Sequence, residues 1–283
     1  MHPDRQGTLR SFDGTSISWQ TFGQGPPVLI ANGIGVAFPG LGLQIADLSK
    51  RHCVITWDYR GTFRSGAPGH GGLGIRAHAR DGLCVLDEVG VHQAACLGWS
   101  MGVQVVFEAC KMARDRTTRL ACIGGVPYSP FKANIPLPGF HRLIRRGTSA
   151  ASHVGPQISP FLKAATGNPA LFWLLCQVHF VRPAANKEVF VSMARGVASH
   201  DQEIYLQTLS ELGRHDATDI LTGLDLPVLF LGGGRDYMIR ASTIRRVARQ
   251  IPRGRAEILP RCSHFITIEQ PERVNELLRD FLA

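Results

Sequence analysis

The sequence has no long apolar stretch. No run of about 18 uninterrupted apolar residues occurs among the 283 residues, which excludes a membrane-spanning helix. Residues 1–6 are polar and lack the apolar segment of a secretory signal, so we expect a cytoplasmic protein. Hydrophobic residues still make up 44% of the chain, enough to form a sizeable core and to exclude disorder as the main state.

The sequence also lacks paired cysteines. Its seven cysteines are odd in number, none forms a CxxC pair, and most fall inside apolar runs such as Ala94-Ala95-Cys96-Leu97. A disulfide framework or a zinc site would show paired and regularly spaced cysteines. We therefore expect reduced thiols in a cytoplasmic protein, and no metal site.

Lysine is scarce, since 26 of the 31 basic residues are arginine. With 22 acidic residues the formal net charge is +9. The arginines are spread along the chain, most densely at 240–255, which is typical of solvated helix faces rather than of a nucleic-acid-binding stripe. We expect no nucleic-acid partner. The composition leaves open whether the charge serves anionic substrates or an acidic surface, and the sequence leaves the oligomeric state open.

The sequence does contain a repeated alternation of strand and helix patterns. Two alternating runs around Asp13-Gly14 predict a β-hairpin. Short apolar runs that predict buried strands follow at 27–31, 53–57, 94–97 and 120–123. Helical patterns occur between them, at 76–89 and 101–112. This alternation predicts an α/β fold with a mostly parallel central sheet flanked by helices.

The alternation is interrupted after Pro127. Residues 128–218 contain helical and loop patterns rich in proline, phenylalanine and arginine, without a convincing strand. The alternation then resumes with a strand at 226–231, a helix at 241–250, a strand at 256–259 and a helix at 271–282. We predict a core domain formed by residues 1–127 and 219–283, and a helical cap inserted at 128–218.

The strongest functional signal is Gly98-Trp99-Ser100-Met101-Gly102. GxSxG alone is a weak pattern in a chain with 31 glycines, but here it follows a predicted strand and opens a predicted helix. That is the setting of a nucleophile elbow, in which flanking glycines permit a strained turn that exposes the serine hydroxyl. The helix N-terminus favours developing negative charge. We predict that Ser100 is a catalytic nucleophile.

A nucleophilic serine needs a histidine base and an acid that orients the base. His264 follows the strand at 256–259, and Asp236 follows the strand at 226–231, so both are expected at the sheet edge that carries Ser100. Asp219 and Asp225 are rivals for the acid, but both precede their strand. The other place where such folds put the acid reads Gly124-Gly125-Val126-Pro127 and holds no carboxylate. We predict Ser100, Asp236 and His264 as catalytic.

Acyl transfer also needs two backbone N–H donors for the oxyanion. We predict that one comes from Met101, the residue after the nucleophile. The second is expected from Ile34, in the turn Asn32-Gly33-Ile34-Gly35 that follows the first buried strand. The alternative is that these four residues form only a tight turn.

Together these segments resemble the α/β-hydrolase superfamily with a cap domain. The resemblance covers nearly the whole chain, and its motifs are Asp13-Gly14, Asn32-Gly33, Asp58-Tyr59-Arg60-Gly61-Thr62-Phe63-Arg64-Ser65, the elbow, Asp236, His264 and Glu269-Gln270-Pro271-Glu272. The resemblance implies the α/β-hydrolase fold and a Ser–His–Asp triad, and says far less about the substrate.

Two positions depart from the family pattern. Asn32 stands where members usually have histidine, and Thr62 replaces the usual glycine after Arg60-Gly61. The Asn-Gly-Ile-Gly turn is similar to one in intracellular medium-chain polyhydroxyalkanoate depolymerases and in uncharacterised bacterial hydrolases. Haloalkane dehalogenases and epoxide hydrolases of this fold carry aspartate at the elbow, so Ser100 favours acyl transfer.

One other motif, Gly69-His70-Gly71-Gly72-Leu73-Gly74, fits the dinucleotide-binding fingerprint. That fingerprint must follow a strand directly, and the preceding predicted strand ends well before it. We interpret the motif as a glycine-rich surface loop and expect no cofactor.

The predicted cap is rich in aromatic residues, namely Phe131, Phe140, Phe161, Phe172, Trp173, Phe180 and Phe190. We expect a minority of them to line an acyl pocket beside Trp99 and Phe265. The predicted function is a serine carboxylesterase that cleaves small-molecule esters of apolar, short-to-medium-chain acids through an acyl-enzyme. Alternatives are a medium-chain polyester depolymerase and a non-catalytic, receptor-like scaffold that binds a small hydrophobic ligand. Acyl transfer, perhydrolysis, lactone hydrolysis and C–C bond cleavage use the same machinery, and the sequence does not separate them.

Overall fold

A single eight-stranded sheet forms the centre of the protein, in a computed structural model that describes residues 1–134 and 170–283 and short pieces at 147, 157, 160, 163–166 and 168. The strands are β1 (Arg5–Arg10), β2 (Ser16–Phe22), β3 (Pro27–Ala31), β4 (Cys53–Trp57), β5 (Ala94–Trp99), β6 (Thr117–Ile123), β7 (Val228–Gly233) and β8 (Gly254–Leu259). Their order in the sheet is β1-β2-β4-β3-β5-β6-β7-β8. The β1–β2 and β2–β4 pairs are antiparallel and the others are parallel, so the predicted mostly parallel sheet is confirmed.

Helices cover both faces of this sheet. In the described residues they are α1 (Gly42–Leu48), α2 (Ile75–Glu88), α3 (Met101–Met112), α4 (Pro130–Asn134), α5 (Ala170–Gln177), α6 (Lys187–Ser199), α7 (Gln202–Leu212), α8 (Ala241–Ala248), α9 (Ile266–Glu269) and α10 (Pro271–Leu282). One core cluster packs α2, α3 and α8 on the sheet, and the other packs α1, α9 and α10. Strand β3 serves both clusters, because Leu29 and Ala31 belong to the first and Val28 and Ile30 to the second. Burial on both faces explains its unbroken apolar sequence.

Strand β7 differs from its prediction. It was expected at 226–231 and instead runs from Val228 to Gly233, so two of three consecutive glycines belong to the strand and not to a turn. Gly232 and Gly233 pair with Ile258 and Leu259 of β8. A Cβ on Gly233 would lie 2.1 Å from the Ser263 carbonyl oxygen. Glycine is required here because the loop after β8 approaches the strand too closely for a side chain. A run of glycines in the sequence does not distinguish such a close approach from a turn.

The chain between β6 and β7 contributes α4, α5, α6 and α7 to the described residues. Where the chain leaves and re-enters the sheet region, Tyr128 and Asp216 form an isolated antiparallel bridge, the one β pairing of this segment among the residues described. Phe140 and Phe161 of the predicted cap lie outside the described residues. The division of the chain into a core domain and a cap stays a prediction.

No helix in the described parts of the chain is long and apolar enough to cross a membrane.

Candidate active site

Ser100 lies at a sharp turn between β5 and α3. Its backbone has φ 55° and ψ −116°, a conformation that non-glycine residues rarely adopt and that stores strain. The flanking glycines are required by close packing: a Cβ on Gly98 would lie 2.4 Å from the Gly102 carbonyl, and one on Gly102 would lie 2.0 Å from the Ala31 oxygen. The GxSxG pattern therefore marks a place where β3, β5 and α3 meet too closely for larger side chains.

Three side chains predicted from distant parts of the sequence form a hydrogen-bonded chain at this turn. His264 Nε2 lies 3.0 Å from Ser100 Oγ, and His264 Nδ1 lies 2.8 Å from Asp236 Oδ2. The other oxygen of Asp236 accepts hydrogen bonds from the backbone N–H groups of Met238 at 2.7 Å and Ile239 at 2.9 Å. Asp236 and His264 are both buried. The arrangement allows a proton to move between the serine hydroxyl and the imidazole.

The rival carboxylates lie elsewhere. Asp219 forms an exposed ion pair with Lys111, and Asp225 forms one with Arg114. At the end of β6, Gly124 lies against the imidazole, since a Cβ there would be 3.4 Å from Nδ1 and Cε1 of His264. Of the carboxylates considered from the sequence, Asp236 is the one that contacts His264.

The 32–35 turn and the start of α3 face the same space as the serine. Ile34 and Met101 both line the cavity that contains Ser100. Within the described part of the chain, neither backbone N–H donates a hydrogen bond to another group of the protein. Asn32 itself is turned inward, where its Nδ2 donates to Thr56 Oγ1 at 3.2 Å. Asn32, which departs from the family pattern, therefore supports the turn from the protein interior.

The cavity has a volume of about 510 Å³ and a mainly apolar lining. The sheet edge contributes Ser100 and His264 to its wall. The segment between β6 and β7 contributes Tyr128, Phe131, Tyr205 and Leu209. A cavity of this size and polarity is suited to a small apolar ligand.

Trp99 and Phe265 were predicted to line the pocket, and neither is among the residues that line this cavity. Instead they pack together with a ring separation of 6.3 Å, and Phe265 contacts Phe180 and Phe190 at 5.4 and 5.1 Å. These rings join the β6–β7 segment to the loop that carries His264. Of the predicted cap aromatics in the described residues, Phe131 lines the cavity.

Sequence reasoning missed the role of Glu269. One oxygen of this buried carboxylate accepts hydrogen bonds from the backbone N–H of Arg182 at 2.8 Å and from the Ser263 hydroxyl at 2.5 Å. The other oxygen accepts one from the backbone N–H of Ser263 at 2.7 Å. It thereby holds the residue before His264. Burial, together with Glu269, raises the pKa of Cys262 to about 12, so this nearby thiol stays protonated. The signal was present, because Glu269 belongs to a motif that carried the family resemblance.

The glycine-rich motif at 69–74 is used within the fold. Gly69 N–H donates to Thr15 Oγ1 at 2.9 Å, and Gly71 N–H donates to Asp13 Oδ2 at 3.0 Å. Its amides therefore bind the β1–β2 hairpin, whereas a dinucleotide fingerprint offers its amides to phosphate.

Comparison with known proteins agrees with this architecture. The sequence profile of the alpha/beta hydrolase family matches residues 28–277. A non-heme haloperoxidase of Rhodococcus erythropolis is 23% identical over 279 residues, which cover 95% of this chain and 97% of that protein. A pimeloyl-(acyl-carrier protein) methyl ester esterase of Vibrio parahaemolyticus is 25% identical over 280 residues, which cover 94% of this chain and 98% of that protein.

Solved structures share the fold over nearly the whole chain. A thermophilic esterase from Thermogutta terrifontis superposes with a TM-score of 0.77 at 23% identity, covering 98% of both chains. An enol-lactonase from Burkholderia xenovorans superposes with a TM-score of 0.77 at 21% identity, covering 98% of this chain and 99% of that one. At this identity the likeness concerns the fold. Because the family profile spans most of its length, the chain belongs to the alpha/beta hydrolase family.

Proposed function

We propose that this protein is a serine hydrolase that cleaves carboxylic esters of apolar acids, with Ser100 as nucleophile, His264 as general base and Asp236 as the orienting acid. The observation that carries the proposal is the continuous hydrogen-bonded chain from Ser100 Oγ through both imidazole nitrogens to Asp236. A serine hydroxyl is a weak nucleophile until a positioned base removes its proton. The relatives whose names include esterase support the same class of reaction.

The first half of the reaction forms an acyl-enzyme. Ser100 Oγ attacks the ester carbonyl carbon while its proton moves to His264 Nε2, and Asp236 stabilises the resulting imidazolium. The carbonyl oxygen becomes an oxyanion that accepts hydrogen bonds from the N–H groups of Ile34 and Met101, each typically worth roughly 3 kcal/mol. His264 then protonates the alkoxide leaving group, and the alcohol departs.

The second half repeats the chemistry with water. His264 takes a proton from water, the hydroxide oxygen attacks the acyl carbon, and Ser100 leaves with the proton returned by His264. The products are the free acid and the unmodified enzyme. No step requires a metal or an organic cofactor.

The substrate class follows from the cavity. Its apolar wall and its volume of about 510 Å³ fit a small ester with an aliphatic or aromatic acyl group. We propose that residues 128–218 form a cap over this site, because Tyr128, Phe131, Tyr205 and Leu209 of that segment complete the cavity wall. The substrate is therefore expected to enter between the cap and the sheet edge.

A fluorophosphonate probe tests the assignment directly. The purified protein should be labelled and should hydrolyse p-nitrophenyl butyrate, and Ser100→Ala should lose the label and at least about a thousandfold in kcat. Ser192→Ala, which removes an exposed serine outside the site, serves as the matched control and should keep both. Near-normal turnover by folded Ser100→Ala refutes the proposed function.

A further inference from the structure

The 32–35 turn is held by hydrogen bonds to two of its carbonyl groups, one before Ile34 and one after it. Tyr59 OH donates to the Asn32 carbonyl at 2.7 Å, and His200 Nε2 lies 3.0 Å from the Gly35 carbonyl oxygen. Because a carbonyl oxygen can only accept, Nε2 of His200 carries the hydrogen. The peptide that carries the Ile34 N–H is thus anchored on both sides.

The two anchors come from different parts of the protein. Tyr59 follows β4 and belongs to the sheet domain, and burial raises its pKa well above the usual value, so the hydroxyl keeps the proton that it donates. His200 lies between α6 and α7, in the segment proposed to be the cap. One side of the turn therefore depends on the sheet. The other depends on the corner between α6 and α7, which we define as residues 197–205.

The corner between α6 and α7 also packs directly on the turn. Gly35 has φ +69°, and a Cβ at this position would lie 2.8 Å from the Tyr205 ring and 3.1 Å from Val197. Val197 belongs to α6 and Tyr205 to α7. A shift of either helix would therefore be transmitted to the turn by contact as well as through the His200 hydrogen bond.

His200 has surroundings that keep its ring in one orientation. Its side chain is buried, and its ring packs edge-on against Phe63 with a centroid distance of 4.4 Å. Burial lowers the pKa of His200, and the hydrogen bond to the Gly35 carbonyl and the negative charge of Asp58 oppose this shift. Asp58 is in turn paired with Arg64 at 3.1 Å. The imidazole is therefore neutral near pH 7, and its Nε2–H tautomer is set by the Gly35 carbonyl.

We propose that His200 is a positioning residue that aims the Ile34 N–H at the oxyanion and makes this alignment depend on the docked corner between α6 and α7. The inference rests on the proposed function. Donors that stabilise an oxyanion act through preorganisation, and complete loss of one typically costs about 10²- to 10³-fold in kcat. Release of the Gly35 anchor leaves Ile34 present but less well aimed, so the expected loss is about 10- to 100-fold.

Three histidine variants test this role. His200→Leu removes the donor and keeps an apolar side chain, and should lower kcat for p-nitrophenyl butyrate about 10- to 100-fold while KM changes little. His200→Gln retains an N–H donor and should recover most of kcat. His215→Gln is the matched control, because His215 is another largely buried histidine of the same segment but contacts Glu108 at 3.1 Å and not the turn.

Binding of a transition-state analogue gives a readout that a purely structural role would not change. An alkyl boronic acid, which places an oxygen where the oxyanion forms, should bind His200→Leu more weakly by the same factor as kcat/KM falls. Binding of p-nitrophenol, the hydroxyl product of the test ester, should be unaffected. Equal weakening of both ligands means that His200 shapes the cavity in general, and this result overturns the proposal.

The remaining outcomes are equally decisive. Wild-type kcat in folded His200→Leu, beside an inactive Ser100→Ala, overturns the role of His200 and leaves the proposed function standing. Turnover by Ser100→Ala overturns the proposed function itself. Should His200→Leu fail to fold, His200→Asn replaces it, because its shorter amide falls short of the Gly35 carbonyl; equal kcat for the Asn and Gln variants then overturns the proposal.

Discussion

His264 Nδ1 lies 2.8 Å from Oδ2 of Asp236, although 28 residues separate them in the chain. The loops after β7 and β8 bring the two together. Asp236 is further held by two backbone N–H groups, so both of its oxygens are used and its position is set before any substrate binds. A carboxylate in this position selects the imidazole tautomer with the hydrogen on Nδ1, which leaves Nε2 free to accept the serine proton.

Asp236→Asn should therefore lower kcat by about 10³- to 10⁴-fold, because the amide can donate to Nδ1 and so favours the wrong tautomer. KM should change far less. The check is steady-state hydrolysis of p-nitrophenyl butyrate by purified protein with an unchanged melting temperature. Asp225→Asn, which alters an exposed ion pair with Arg114, is the matched control and should be nearly silent. A comparable loss in the control would show that the acid is assigned wrongly.

The size and the polarity of the cavity predict which acyl chains the proposed esterase prefers. Each buried methylene contributes about 0.8 kcal/mol, or roughly fourfold in kcat/KM, until the space is filled. We expect kcat/KM to rise from acetyl to about hexanoyl or octanoyl p-nitrophenyl esters and to fall for palmitoyl. Leu209→Trp, which fills part of the cavity wall, should move the optimum to shorter acids. A maximum at acetate in the unmodified protein contradicts this prediction, and turnover of polyester granules would favour the depolymerase alternative.

Arg60 is fully buried between two carboxylates. It lies 2.8 Å from Asp13 of the β1–β2 hairpin and 2.7 Å from Asp81 of α2, and all three side chains are inaccessible to solvent. Arg60→Met should lower the free energy of unfolding by about 3–5 kcal/mol at pH 7.5, because two buried carboxylates lose their counter-ion.

The pH dependence of this loss identifies its cause. Carboxylates left unpaired are protonated at higher pH than paired ones, so the stability deficit of Arg60→Met should shrink between pH 7.5 and 5.5. Urea unfolding at both pH values measures it. Arg273→Met, which removes an exposed pair with Glu276, should leave the urea midpoint unchanged at both. A deficit that does not vary with pH would attribute the loss to packing alone.

Burial of His78 makes the fold sensitive to acid. This ring packs edge-on against Tyr59 at 4.8 Å, and burial, reinforced by the charge of Arg60, lowers its pKa from 6.5 to about 3. Between these values the unfolded chain binds a proton that the folded chain excludes, so stability is fully present above pH 6.5 and falls as the pH drops towards 3. At pH 5 the resulting loss in the free energy of unfolding is about 2 kcal/mol.

His78→Phe should reduce the slope of the unfolding free energy against pH between pH 6.5 and 4. The reduction should correspond to at most one fewer proton taken up on unfolding. The difference between variant and unmodified protein, measured by urea unfolding across this range, removes the contribution of other groups. His70→Gln changes an exposed histidine and should leave the slope as it is. Parallel curves for His78→Phe and the unmodified protein would contradict the prediction.

Local patterns in the sequence were sufficient for the family and for several elements. The α3 and α10 helices have the predicted bounds, and β3 and β4 also match, because an apolar run or a helical period depends on nearby residues. The sharp turn at Ser100 was predictable for the same reason, since it is built from five consecutive residues. The proximity of Asp236 and His264 to Ser100 was predictable only through the rule that parallel strands end at one edge.

Other contacts between distant segments were decided by the tertiary structure alone. No pattern around Trp99 and Phe265 distinguishes a residue that lines a cavity from one that packs in an aromatic cluster, because both are apolar. Nothing in the sequence near His200 indicates that its ring meets the carbonyl of Gly35, 165 residues away. Such pairs depend on how helices dock on the sheet, and docking is set by the summed packing of many side chains rather than by any short stretch of sequence.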